Sequence, residues 1–172
     1  MHSAAHSFVE RLSKQFPPHF SYVHVLEVGS CWINGDVRDL FFACKFSGID
    51  HLQGKNVDRV RWFHEWADVY LRSCRILRTE PEYKTVFSTE ALEHDPFAER
   101  TVKAMIDVCF PGGLIFLTCA GIGREPHFLE TTGHYKNLTL VELQQWFTDK
   151  RLVSHIEENQ IDHDLYVWAI KE

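Results

Sequence analysis

Apolar residues along the chain recur with two periods, and the two kinds of segment alternate. Residues 4–16 place Ala5, Phe8, Val9, Leu12 and Phe16 on one helical face, which predicts an amphipathic helix stopped by Pro17 and Pro18. Residues 22–28 (YVHVLEV) form a short, mostly apolar run ending at Gly29, the pattern of a strand buried on both faces. Further strands are predicted over 45–50, 58–63, 83–88 and 114–118. A helix is predicted over 65–78, where Trp66, Val69, Tyr70 and Leu77 stand at helical spacing. Another opens at Asp95, read as an N-cap, with Pro96 at the first helical position and Ala98, Val102, Met105, Ile106 and Cys109 facing inward. Pro111, Gly112 and Gly113 read as a turn. Thr139 and Glu142 form a capping box, flanked by Leu138 and Leu143 as a hydrophobic staple, and start a helix running to about Asp149. Strands over 152–157 and 165–170 close the chain, with Asp162, His163 and Asp164 between them.

Helices alternating with buried strands predict an α/β fold, a Rossmann-like three-layer sandwich with a mainly parallel seven-stranded sheet. The last two strands are joined too tightly for a helical crossover, so the C-terminal strand is expected to pair antiparallel. No repeat or low-complexity linker divides the 172 residues, which are expected to form a single domain over 1–172. In sheets of this kind ligands bind outside the carboxyl ends of the strands, which places the site on the loops after the first four strands.

Composition narrows the partners. The chain carries a net charge of −6, and its Lys and Arg residues are scattered, the densest groups being Lys55, Arg59 and Arg61, and Arg72, Arg75 and Arg78. A helix face explains the second group, and binding of duplex nucleic acid is not expected. Five cysteines without CxxC spacing read as reduced thiols of a reducing compartment. The N-terminal segment carries charges through its apolar stretch, and no run approaches a membrane span, so a cytoplasmic location is expected. The 11 histidines include no HExxH motif and no paired Cys/His spacing, and no metal site is expected.

The residues at the expected strand ends carry the chemistry. Gly29 allows a sharp turn after the first strand, but a dinucleotide fingerprint would also need glycine at positions 31 and 34, where Cys31 and Asn34 stand. Asp50 ends the second strand, well placed to accept hydrogen bonds from both hydroxyls of a ribose. Together the two features point to an adenosine-bearing ligand without a phosphate cradle. After the fourth strand, residues 88–96 (STEALEHDP) gather polar groups where the fold would place a ligand's reactive end.

Five collinear blocks carry a resemblance: LEVGSCWINGDVRDLF (26–41), FSGIDHLQGKNVD (46–58), FSTEALEHDPF (87–97), FPGGLIFLTCA (110–120) and HYKNLT (134–139). The sequence resembles the class I S-adenosylmethionine-dependent methyltransferases, most of all their small bacterial and phage members. The resemblance implies S-adenosylmethionine as cofactor. It implies that Glu27, Gly29 and Ser30 line the methionine end, with Asn34 and Gly35 completing the loop. Asp50 would bind the ribose, His51 would lie beside the adenine, and Phe63 and His64 would flank its edge. Ser88, Thr89 and Glu90 would lie under the sulfonium. Cys31 replaces the usual second glycine, and Trp62 stands where many relatives carry an aspartate for the adenine amino group. Adenine recognition is therefore expected to use stacking and backbone contacts.

Methyl transfer from a sulfonium is an in-line displacement by an activated donor, so alignment supplies much of the catalysis. An oxygen acceptor, or a protonated nitrogen, also needs a base, and His94 is the candidate. His134 and Tyr135, in the long loop 119–138, are the candidate acceptor-binding residues. The expected activity is methylation of a small-molecule or glycan-linked acceptor. The alternatives are a non-catalytic scaffold binding the same cofactor and a nicotinamide-dependent oxidoreductase. Acceptor identity and oligomeric state are not legible.

Overall fold

A computed structural model describes residues 3–33, 35–127 and 133–172. Its elements run α1 (Ser3–Gln15), β1 (His24–Val28), β2 (Lys45–Asp50), β3 (Arg59–Val60), α2 (Phe63–Leu77) and β4 (Tyr83–Thr89). They continue through α3 (Ala98–Val108), β5 (Cys109–Ala120), α4 (Leu140–Trp146), β6 (Leu152–Asn159) and β7 (Asp164–Lys171). The seven strands form one sheet in the order β3-β2-β1-β4-β5-β7-β6. β1 to β5 pair parallel, whereas β7 lies antiparallel between β5 and β6. The winding reverses at β1, between its neighbours β2 and β4, which is where a ligand crevice forms in such sheets.

The alternation of side chains along each strand divides the core in two. On one face Leu26, Val28, Ile49, Val86, Ile115, Leu117, Val167 and Ala169 pack beneath α2, α3 and α4. On the other, Val25, Phe87, Leu114, Phe116 and Tyr166 meet Ala5, Phe8, Val9 and Leu12 of α1. Both faces are covered, which is why the central strands read as unbroken apolar runs.

The crossover from β1 to β2 contains a 3₁₀ turn at Arg38–Leu40 and, among the described residues, no α-helix. Phenylalanines fill that space. Phe41 stacks on Phe20 at 4.5 Å and on Phe87 at 5.7 Å, and Phe87 stacks on Phe116 at 4.9 Å. Among the described residues, no α-helix N-terminus, the usual anchor for a pyrophosphate, follows β1 before β2.

Several local expectations need correction. β3 is a two-residue edge strand on Ile49 and Asp50 rather than a strand over 58–63, and α2 already begins at Phe63. Val69 and Leu77 are exposed, the buried face of α2 being Phe63, His64 and Ala67. Asp95 is not the N-cap of α3, a position held by Phe97. Its carboxylate instead accepts from the Phe97 amide at 2.7 Å and the Thr101 hydroxyl at 2.5 Å, which bridges the same turn from outside it. Pro111, Gly112 and Gly113 do not leave the sheet. They lie in β5, where the register with β4 slips between Tyr83 and Thr85 and the extra residues form a bulge. The Thr139–Glu142 capping box forms, although α4 ends at Trp146, short of Asp149. No helix among the described residues is long and apolar enough to cross a membrane.

Candidate functional site

An open pocket of about 990 Å³, mouth included, lies at the carboxyl ends of β1, β2 and β4 and is completed by the residues that lead into α2. Glu27, Gly29, Ser30, Gly35, Asp50, His51, Phe63, Ser88, Thr89, Glu90 and His94 all line it. Asn34 lies outside the described residues. His64 does not line the pocket: it is buried behind it, its ring 4.7 Å from that of Phe97. His134 and Tyr135 also lie outside the lining and contact His94, which is part of it.

Gly29 leaves β1 at φ +73°, in the left-handed region that favours glycine. A Cβ there would lie 2.2 Å from the Cβ of Ala91, so the loops after β1 and β4 touch at this point. The glycine is thus demanded by loop-against-loop packing, a different reason from backbone approach to a ligand. The Gly29 and Ser30 amides both donate to the Ile49 carbonyl, at 2.9 and 3.3 Å, which ties the loop to β2.

Asp50 is held from two sides. One carboxylate oxygen accepts from the Cys31 amide at 2.9 Å and the other from the Leu52 amide at 2.8 Å. A carboxylate offers about four lone-pair sites, so each oxygen keeps acceptor capacity in a fixed orientation. Beside it, His51 stacks on Trp62 at 4.3 Å and 5° between planes, and Phe97 closes edge-on against Trp62 at 5.5 Å. The position that lacks an aspartate therefore supplies a flat aromatic wall.

Glu27 is buried and pairs with Arg38, whose Nε donates to it at 2.7 Å. Arg38 also donates to the Asn56 carbonyl at 3.1 Å and lies over Phe46 at 4.6 Å. Burial raises the Glu27 carboxyl to about 7 despite the opposing Arg38 charge. Sequence reasoning missed Arg38, because no periodicity marks an ion pair reaching from a crossover to a strand end.

Three buried polar atoms of the lining, Ser30 Oγ, His51 Nε2 and Ser88 Oγ, make no hydrogen bond with the described residues. Buried groups rarely stay unpaired, so this lining is built to meet polar atoms of a ligand. Glu90 adopts φ +52°, uncommon outside glycine, and is fixed by Thr118: the Glu90 amide donates to the Thr118 carbonyl at 2.9 Å, and the Thr118 hydroxyl donates to Glu90 Oε1 at 2.9 Å. Such backbone strain is held only where surroundings over-determine it.

Next to the pocket, Glu93, His94 and His127 come together, each offering a ligand atom within 4.8 Å of the others. Tyr135 packs edge-on against both imidazoles, at 5.3 and 5.2 Å. Burial lowers the His94 pKa, which keeps its imidazole neutral near neutral pH. No local pattern signals this cluster, since His127 is 34 residues from Glu93 and the fold brings them together.

No family model matches the chain, and no curated protein sequence matches it. Solved structures do. YcgJ from Bacillus subtilis superposes with a TM-score of 0.62 over 99% of both chains at 11% identity. An S-adenosylmethionine-dependent methyltransferase from Archaeoglobus fulgidus gives 0.61 over 96% of this chain and 94% of its own, at 15% identity. The Burkholderia thailandensis 1,6-didemethyltoxoflavin N1-methyltransferase, solved with its substrate and S-adenosylhomocysteine, gives 0.60 over 98% and 78%, at 16% identity. Some other neighbours are longer, and the chain spans about half of them (51% and 54%). At these identities the likeness establishes the fold, which this chain shares with these S-adenosylmethionine-dependent methyltransferases.

Proposed function

We propose that residues 1–172 act as one S-adenosylmethionine-dependent methyltransferase domain, transferring a methyl group to a small-molecule or glycan-linked acceptor. The observation that carries this function is the pocket at the β1 switch point, where unpaired Ser30, His51 and Ser88 atoms share the lining with an Asp50 carboxylate clamped by two backbone amides. Glu27, Gly29, Ser30 and Gly35 hold the methionine end, Asp50 takes the ribose hydroxyls, and His51, Trp62 and Phe63 flank the adenine. Ser88, Thr89 and Glu90 underlie the sulfonium. That the described residues between β1 and β2 form no α-helix speaks against a nicotinamide dinucleotide, whose pyrophosphate uses such an anchor. A cytoplasmic setting, consistent with unpaired cysteines, and a solution partner other than duplex nucleic acid belong to the same proposal.

In the reaction, a lone pair of the acceptor attacks the methyl carbon in line with the carbon–sulfur bond. The bond's electron pair returns to sulfur, leaving S-adenosylhomocysteine, and an acceptor O–H or N–H gives up its proton. His94, neutral and at the exit of β4, is the group proposed to serve that proton's departure. Incubation with labelled S-adenosylmethionine and pools of small-molecule and glycan acceptors tests the activity. Label in an acceptor supports an enzyme, whereas tight cofactor binding with no transfer to any pool leaves a scaffold.

Asp50→Ala should weaken S-adenosylhomocysteine binding more than tenfold, since hydrogen bonds to a charged group contribute roughly 1.5–3 kcal/mol each. Calorimetry on a variant with an unchanged thermal unfolding transition checks this, and unchanged affinity removes Asp50 from the site.

Affinity should also depend on pH through Glu27. Its folded-state value lies above that of an ordinary glutamate, so the free protein binds a proton there below about 7. The cofactor's ammonium favours the carboxylate, so binding expels that proton and affinity falls as pH drops through this value. Titrations between about pH 8 and about pH 6 should show the fall in the wild type and a shallower one in Glu27→Gln. Parallel profiles would place the ammonium elsewhere.

A further inference from the structure

We propose that Glu93, His94 and His127 form a binding site for one divalent transition-metal cation of the zinc type, set against the acceptor side of the pocket. Each residue offers a ligand atom within 4.8 Å of the others, and His127 Nε2 lies 4.0 Å from Glu93 Oε1. Ligand atoms bound to a tetrahedral zinc at about 2.0–2.2 Å lie roughly 3.4 Å apart, so small side-chain rotations close the set.

The second observation is Glu93 itself. Its carboxylate is fully buried, neither oxygen makes a hydrogen bond of normal geometry, and the nearby Glu93 and Ala120 backbone amides offset its burial only in part. A buried carboxylate without such partners is costly as an anion unless a cation meets it. The neighbourhood is acidic beyond Glu93, with the carboxylates of Glu90 and Asp164 acting on it. Arg124 pairs with Asp164 at 2.8 Å.

The imidazoles are oriented as metal ligands usually are. His94 Nδ1 lies 3.2 Å from the His134 carbonyl and His127 Nδ1 lies 3.2 Å from the Glu125 carbonyl. A carbonyl partner fixes the Nδ1–H tautomer and makes Nε2 the lone-pair nitrogen, the common outer-shell arrangement of zinc-bound histidine. Two imidazoles with one carboxylate suit zinc, iron or manganese and leave coordination positions open, whereas magnesium prefers all-oxygen sites. Tyr135 packs on both rings and holds them at their mutual angle of 87°. The residues expected to bind acceptor directly, His134 and Tyr135, thus support the cation's ligands.

The role of the cation rests on the methyl-transfer proposal, although its binding does not. His94 lines the cofactor pocket, so the cation would stand beside the transferred methyl. An acceptor hydroxyl taking an open coordination position loses its proton more readily, as zinc-bound water does. With the cation bound, His94 would serve the proton's departure through the metal rather than as a free base: the resulting oxygen anion forms the new C–O bond as the C–S bond breaks and its pair returns to sulfur, while the proton leaves to solvent.

The test is calorimetric titration of the whole chain with Zn²⁺ alone, repeated with Co²⁺ to read visible absorption of a tetrahedral site. S-adenosylhomocysteine is titrated separately into the same samples. One equivalent of Zn²⁺ should bind, and Glu93→Gln and His127→Ala should each weaken it at least tenfold while homocysteine-nucleoside affinity changes less than threefold. Glu93→Gln keeps the side-chain shape without a buried charge and should fold even if His127→Ala does not. Absence of saturable Zn²⁺ and Co²⁺ binding, or binding that survives both substitutions, overturns the site. Binding as described in a protein that takes no S-adenosylhomocysteine sustains the cation site and overturns the methyltransferase proposal instead.

Discussion

Replacing Gly29 with valine is expected to abolish S-adenosylhomocysteine binding while the sheet stays folded. The glycine sits at φ +73°, where an L residue is strained by roughly 1–2 kcal/mol. Its missing side chain is also the point of contact with the loop after β4, since a Cβ would meet that of Ala91 at 2.2 Å. Valine adds two methyl groups to that clash. The two loops must part, and both segments line the pocket, with Glu27 and Ser30 on one and Ser88, Glu90 and His94 on the other. Gly35 provides the control: it also has a positive φ, +99°, but a Cβ there would meet nothing within 4 Å, so Gly35→Ala should bind far better than Gly29→Val. Circular dichroism establishes folding and calorimetry the affinity. A folded Gly29→Val protein that binds as the wild type does would show that the loops do not enclose the cofactor.

His94→Ala should keep cofactor affinity and lose turnover by about 10²–10⁴-fold, the usual contribution of a group that handles the acceptor's proton. The residue is buried, neutral near neutral pH, and placed at the end of β4 beside Glu90. Its neighbour Asp95 is committed to the Phe97 amide and Thr101 hydroxyl, and the His134 carbonyl orients the ring instead. Loss below about threefold would make His94 structural, far under what proton handling supplies. Equal loss of affinity and rate would place it in the cofactor's binding shell.

What the sequence reveals follows from which signals are local. β1, β4 and β5 are legible because a strand buried on both faces must be apolar throughout, and Gly29 and Asp50 mark the ends of their strands. The Thr139–Glu142 cap is legible because its hydrogen bonds close within four residues. β3 is overcalled because an exposed two-residue edge has no buried pattern to bound it. Gly112 and Gly113 resemble a turn, yet Leu114 onward is held in the sheet by β4 and β7, and the extra residues are absorbed as a bulge.

The site divides along the same line. Glu27, Gly29, Ser30, Asp50, His51, Ser88, Thr89 and Glu90 reach one pocket because they sit at the ends of adjacent parallel strands, a relation that strand prediction supplies. His64 fails because the helix begins two residues earlier than its apolar spacing suggests, which turns that side chain inward beside Phe97. Arg38, and the meeting of His127 with Glu93, depend on distant loops folding over the strand ends, and nothing local in the chain announces either.

The measurement that bears most directly on the central claim is calorimetric titration of the wild-type chain with S-adenosylmethionine and S-adenosylhomocysteine beside NAD⁺ and NADH. Saturable one-site binding of both sulfur nucleosides is expected, with neither dinucleotide bound at matched concentrations. Binding of NADH without uptake of either sulfur nucleoside would contradict it.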